Sequence, residues 1–214
     1  MGNLQKGAEG KMDKKNFLSI QYYLPNLKLY REYTACDEYA FSTFRGGTGK
    51  LSKREKCEIG FRAVQILRLT QSNQDTIWRY VFAFLRRRFY KRYGLEIFTN
   101  MNIGKGFVIG HWGRIVIHGD AKIGEQCMVT HNVTIGRDIR GKRKGVPTIG
   151  NRVAIRTNST VVGNITIGDD VLIAPNTFVN FDVPSNSIVI GNPARIISRE
   201  NASEGHVGEI PREI

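Results

Sequence analysis

Residues 117–135 read IHGDAKIGEQCMVTHNVTI, and residues 149–167 read IGNRVAIRTNSTVVGNITI. An aliphatic residue returns every sixth position, at Ile117, Ile123, Val129 and Ile135, then at Ile149, Ile155, Val161 and Ile167. Ile173 and Val179 continue the step downstream, and Ile97, Ile103 and Ile109 keep it upstream. The position two before is mostly small or β-branched, as at Ala121, Cys127, Val133, Val153, Ser159, Ile165, Val171 and Thr177. A period of six matches neither the 3.6 of an α-helix nor the alternation of an ordinary strand. It fits short strands joined by tight turns and wound into a three-sided prism, each aliphatic residue filling the interior and adjacent coils lying about 4.8 Å apart. Gly or Asn recurs at the turns, as at Gly104, Gly110, Gly124, Gly136, Gly150, Gly163-Asn164 and Gly168, which points to backbone with positive φ.

Two breaks interrupt the period. Between Ile109 and Ile117 the step is eight residues, and between Ile135 and Ile149 it is fourteen. The second break holds Arg137 to Val146, with Arg140, Lys142, Arg143 and Lys144, and leaves the prism as a basic loop. The first lengthens its coil by two residues, so that His111, two after Ile109, and His131, two after Val129, stack at one corner on successive coils. His118 directly follows Ile117 and points elsewhere, and His206 lies in a tail taken to be mobile.

The whole chain has 214 residues, 41% apolar, which is enough for one large domain or two small ones. No apolar run is long enough to span a bilayer, and the polar stretch Met1 to Lys15 argues against a secretory signal. Three scattered cysteines, Cys36, Cys57 and Cys127, make neither a disulfide framework nor a zinc site, so a reducing cytoplasm is the expected location. The formal charge of +13 divides as +11 over residues 1–94, +4 over 95–198 and −2 over the tail 199–214, and these are the expected domains. Ser52 with Glu55 and Ser72 with Asp75 read as helix starts, giving helices over about 53–71 and 73–93 in a basic α-helical N-terminal region. On the second, Trp78, Val81, Phe82, Leu85 and Phe89 form an apolar stripe expected to pack on its partner and on the open end of the prism. Its arginines are open to an anionic membrane surface or a charged glycan. Charge is the only support for a non-catalytic module binding nucleic acid or membrane, and no nucleic-acid motif is present.

The stretches from Ile103 to His111, from Val133 to Gly136 into the basic loop, and from Val189 through Pro193 to Arg195 resemble the hexapeptide-repeat acyltransferases. The resemblance covers about half the chain and lies nearest the branch of serine O-acetyltransferases and capsular or exopolysaccharide O-acetyltransferases. It implies a mainly β fold, a left-handed parallel β-helix of hexapeptide repeats over 95–198, assembled as a homotrimer that the helices could pair into a dimer of trimers.

The resemblance also places a catalytic base at His111 and a carboxylate partner at Glu96, where the serine enzymes carry Asp. A neutral imidazole removes the proton from an acceptor hydroxyl as it attacks a thioester, and a carboxylate on its other nitrogen fixes the tautomer. No nucleophilic Ser or Cys stands in a recognisable setting, so direct transfer from acetyl-CoA is expected rather than an acyl-enzyme. By motif position coenzyme A meets Gly136, Arg137, Arg156, Thr157, Ala174, Pro175 and Arg195. The stacking register, rather than the resemblance, sets His131 to contact the acceptor or the thioester, with Trp112, Arg143 and Lys144 as further acceptor contacts. A three-histidine metal site of the β-helical carbonic anhydrase kind is not expected, because the histidine intervals of 7 and 13 do not resemble it. The serine enzymes read their amino acid with an acid just before the base and with an Arg-His pair at the end of the loop. Here Gly110, Gly145 and Val146 stand instead. Unpaired polar groups are heavily discriminated against, so the expected acceptor is a saccharide hydroxyl, with serine as the alternative.

Overall fold

A computed structural model of the chain describes residues 20–98 and 102–211. From Leu95 the backbone winds as a three-faced parallel β-helix. The first coil carries β1 (Leu95–Ile97), β2 (Asn102–Ile103) and β3 (Val108–Ile109), and the second β4 (Ile115–Ile117), β5 (Lys122–Ile123) and β6 (Met128–Val129). The third carries β7 (Thr134–Gly136), β8 (Thr148–Ile149) and β9 (Val153–Ile155), and the fourth β10 (Thr160–Val162), β11 (Thr166–Ile167) and β12 (Val171–Ile173). β13 (Phe178–Val179) and β14 (Ser187–Gly191) begin a fifth, and β15 (Ala194–Ser198) folds back antiparallel on β14. Face one stacks β1, β4, β7, β10 and β13; face two stacks β2, β5, β8 and β11; face three stacks β3, β6, β9, β12 and β14.

The register sets Ile97 beside Ile117, Ile117 beside Ile135 and Ile135 beside Val161, so the sixth-position residues form columns inside the prism. Ile109, Ile117, Ile135, Val161 and Ile173 are fully buried, each burial contributing about 1.5–3 kcal/mol. The glycines after the interior residues serve a purpose other than the expected one. Gly104, Gly124, Gly150 and Gly168 are absent from the residues with positive φ. A Cβ on Gly104 would lie 2.6 Å from the carbonyl of Gly124, and one on Gly124 would lie 2.5 Å from that of Gly150. These glycines are required by close approach of successive coils at the corner between faces two and three. Positive φ falls instead on Gln126, Arg152, Asp170 and Asn186 at that corner, and on Asn132, Asn158 and Asn176 at the corner between faces three and one.

Four helices precede the prism: α1 (Ile20–Tyr23), α2 (Leu27–Phe44), α3 (Ile59–Ser72) and α4 (Trp78–Tyr93). The box on Ser52 forms, with Glu55 N donating to its hydroxyl at 3.3 Å, but it opens only a 3-10 turn over Glu55–Cys57. Extended backbone at Glu58 delays α3 to Ile59. Ser72 does not cap the next helix, because its hydroxyl donates to Arg68 O within the last turn of α3. Gly94, in the left-handed conformation with φ 66°, ends α4 and starts the β-helix. A Cβ on Gly60 of α3 would lie 2.3 Å from Ile109 O, so that helix abuts the end of the prism directly.

Face three is covered outside as well as inside. Its outward residues Val108, Met128 and Ala154 are fully buried against Ala40 and Phe41 of α2, Phe61 and Val207. Two expectations fail here. Residues 199–211 are not a loose tail: Ser203 Oγ donates to Asp170 Oδ1 at 2.6 Å, and Glu209 N donates to Thr43 Oγ1 at 2.8 Å. Nor does the α4 stripe pack as a whole, since Tyr90 is the only buried residue of that helix while Val81 and Leu85 stand in solvent.

Candidate active site

The corner between faces three and one carries a column made by the same turn on successive coils. The strand register places His111, His131, Thr157 and Pro175 in line, each two residues after an interior aliphatic residue. The imidazoles of His111 and His131 meet edge to face, their centroids 5.9 Å apart. The His131 turn is fixed from both sides: Asn132 N donates to Gly113 O at 2.9 Å, and the hydroxyls of Thr130 and Thr157 lie 3.2 Å apart. Below it the side chains of Asn132, Asn158 and Asn176 form a ladder, Nδ2 to Oδ1, at 2.8 and 3.1 Å. Gly113, φ 122°, carries the two-residue excursion over the His131 Cβ, which is why the coil spacing is twenty from Ile109 to Val129.

Trp112 stands half exposed beside His111, its indole packed edge-on against Tyr93 at 5.4 Å. Glu96 does not meet His111 in this structure. It is exposed on β1, paired in register with Val116, and lines a groove of about 560 Å³ with Arg86, Arg87 and Lys91 of α4. Among the described residues no carboxylate lies within ion-pair distance of His111. The reason is geometric: Glu96 projects from the middle of face one, whereas His111 belongs to the turn before that face. His118 sits on the next corner, 3.8 Å from Asp120.

The basic loop leaves the corner between faces one and two. Asp138 and Gly145 exchange backbone hydrogen bonds at 2.9 and 3.0 Å, and Asn164 N donates to Arg143 O at 2.8 Å. The Arg143 guanidinium lies 3.6 Å from the Asp182 carboxylate, while Lys144 is exposed. Gly136 and Arg137 are on this loop corner, and Arg156, Thr157, Ala174 and Pro175 are on the histidine corner. Arg195 is exposed on β15. Apart from Glu96 and Arg195, the candidate residues therefore divide between two corners with face one between them. Burial pushes the Cys127 thiol up to about 12, leaving no thiolate there to accept an acyl group.

One residue missed in the sequence shapes the site. Phe44, at the end of α2, lies against Gly110: a Cβ there would sit 3.3 Å from two of its ring atoms. The space beside His111 is thus taken by an aromatic ring. The signal was the run of apolar outward residues on face three, which requires a cover.

Residues 147–180 match the family described as bacterial transferase hexapeptide (six repeats). Fold and repeat together place the chain in the class of parallel β-helices built from hexapeptide repeats. Within that class the chain is similar to the serine acetyltransferase of Helicobacter pylori strain 26695, 37% identical over 107 residues that make up 50% of this chain and 63% of the relative. It is also similar to the serine acetyltransferase of Bacillus subtilis, 34% identical over 142 residues, 60% of this chain and 65% of that one. The chain spans less than two thirds of the length of these relatives. Among solved structures, that of Neisseria gonorrhoeae serine acetyltransferase superposes with a TM-score of 0.71 at 25% identity, covering 81% of this chain and 66% of the other. The same enzyme in complex with serine gives 0.69 at 26% identity, covering 80% and 70%.

These similarities overturn the saccharide acceptor, since the relatives are serine acetyltransferases. Gly110, Gly145 and Val146 leave out three polar groups without thereby changing the substrate. Missing groups say which contacts are not made, and they do not identify the acceptor.

Proposed function

We propose that the chain transfers the acetyl group of acetyl-CoA to the side-chain hydroxyl of serine, with His111 as general base. The observation that carries the reading is the exposed His111 packed on His131 at one corner of a β-helix whose relatives, including one solved with serine, are serine acetyltransferases. His111 takes the hydroxyl proton as the serine oxygen attacks the thioester carbonyl. The tetrahedral adduct collapses, the carbon–sulfur bond breaks, and the imidazolium returns the proton to the departing thiolate. His131 and Trp112 flank the base and bind the acceptor. Because Phe44 fills the space beside Gly110, the serine ammonium is read by groups elsewhere on the corner.

Coenzyme A runs along the histidine corner past Arg156, Thr157, Ala174 and Pro175, with Gly136, Arg137 and the loop residues Arg143 and Lys144 approaching from a second copy. Face one separates the two sets within a single chain, which favours a cyclic trimer with sites between subunits. The test is thiol release from acetyl-CoA by the purified chain, with and without serine. Serine-dependent release that His111→Ala abolishes is expected. A folded protein with no serine-dependent release would overturn the proposal.

A further inference from the structure

The first two turns of α4 present a face to solvent that neither the prism nor the other helices use. Ile77, Tyr80, Val81, Phe84 and Leu85 are between 43% and 65% exposed, Phe84 the most. Tyr23 and Leu24, also exposed, adjoin the start of the helix, where Ile77 N donates to Tyr22 O and the Trp78 indole donates to Tyr23 O. At about 100° per residue, Arg87, Arg88, Lys91 and Arg92 continue the same side of the helix after the apolar residues, and all four are exposed. No carboxylate occurs between Ile77 and Tyr93. The opposite side is occupied: the Tyr90 hydroxyl donates to Ala63 O, and Arg86 donates to Ile97 O. Glu96 is the carboxylate that lines the adjoining groove.

We propose that this face docks the protein on an anionic membrane surface, the apolar side chains entering the boundary between headgroups and acyl chains and the cations meeting lipid phosphates. Exposed aromatic and aliphatic residues beside an unbroken set of cations are what such a surface binds. A nucleic acid would satisfy the arginines but leave Val81, Phe84 and Leu85 in water. A second copy would cover the apolar residues but would bring two acid-free cationic helices together, a juxtaposition that repels.

The full chain is tested by flotation with vesicles of phosphatidylcholine alone and of phosphatidylcholine mixed with phosphatidylglycerol. Binding is expected to the mixed vesicles only, to weaken with added salt, and to fall more than tenfold in Phe84→Asp and in the double variant Arg87→Gln, Arg88→Gln. These side chains are exposed, so the variants should keep the parent's melting temperature, which is measured alongside. Absence of binding to mixed vesicles overturns the proposal, as does binding that both variants retain. Light scattering in which Phe84→Asp reduces the assembly, while the parent ignores vesicles, overturns it in favour of a second copy.

Discussion

The His111 and His131 rings lie 5.9 Å apart at 78° to one another, although twenty residues separate them along the chain. A regular coil, such as that from Ile155 to Ile173, is two residues shorter than their separation, and the excursion through Trp112 and Gly113 makes up the difference and keeps both on one corner. His111 is the more exposed of the two, and His131 is anchored by the Thr130–Thr157 contact beside it. Under the proposed mechanism the pair offers one ring to an incoming hydroxyl and one to hold what carries it.

His111→Ala is expected to lower kcat by about 10²- to 10⁴-fold, the usual range for loss of a general base. Melting temperature and assembly should stay unchanged, because the side chain lies outside the core. His131→Ala should raise the KM for serine with a smaller change in kcat. Glu96→Gln should cost less than His111→Ala, since Glu96 makes no hydrogen bond to His111 in this structure. Steady-state kinetics of the three variants beside the parent separates these roles, and an undiminished kcat for His111→Ala would remove the mechanism.

Gly124→Ala should destabilise the fold by about 1–3 kcal/mol, the common cost of forcing atoms into filled space. Its Cβ would lie 2.5 Å from the Gly150 carbonyl oxygen, and backbone on both coils would have to part. Denaturant unfolding of this variant, with the exposed Lys122→Ala as control, measures the difference.

The β-helix was legible because each coil repeats one steric problem, and the solution shows at Ile117, Ile135 and Val161 in the same phase. The corner shared by His111 and His131 was legible for the same reason. The glycine column was visible but misread, since sequence does not distinguish a glycine required by φ from one required by an approaching coil. α2 went unseen because its partners, Val108, Met128 and Ala154, are scattered one per coil on the far side of the prism. Tail docking was hidden because Asp170 and Ser203 are joined only through the fold.

Arg68→Met should be severely destabilising, by about 3–5 kcal/mol, because it strands a buried carboxylate. Arg68 and Asp37 are each 1% exposed and 2.7 Å apart, and the guanidinium also donates to the carbonyls of Ile103 and Gly104. The double variant Arg68→Met, Asp37→Leu should recover part of that loss, though the two coil carbonyls and Phe107 N would still lack their partners. Equilibrium unfolding of the two variants decides whether the stranded charge or the packing dominates.

Stability should fall in two acid steps, both arising where the tail meets the prism. Burial and the nearby Arg156 hold the His206 imidazole below its usual range. The unfolded chain therefore takes up that proton first, and stability drops as pH falls from about 6.5 to the lowered native value. Burial alone would raise the Asp170 carboxyl, but the Ser203 hydroxyl and the backbone N–H groups of Ser203 and Ala202 bring it below the usual carboxylate range. Its contribution is complete above an unfolded value of about 3.9 and is lost as pH falls through the lower native one. Melting temperature measured against pH should show both declines, with proteolysis of residues 199–211 quickening over the same ranges. His206→Gln should remove the upper decline and leave the lower. Asp170→Asn should lower the melting temperature at neutral pH and flatten the lower decline, because an amide cannot accept the three hydrogen bonds with the same strength. An upper decline that persists in His206→Gln would assign that step to another group.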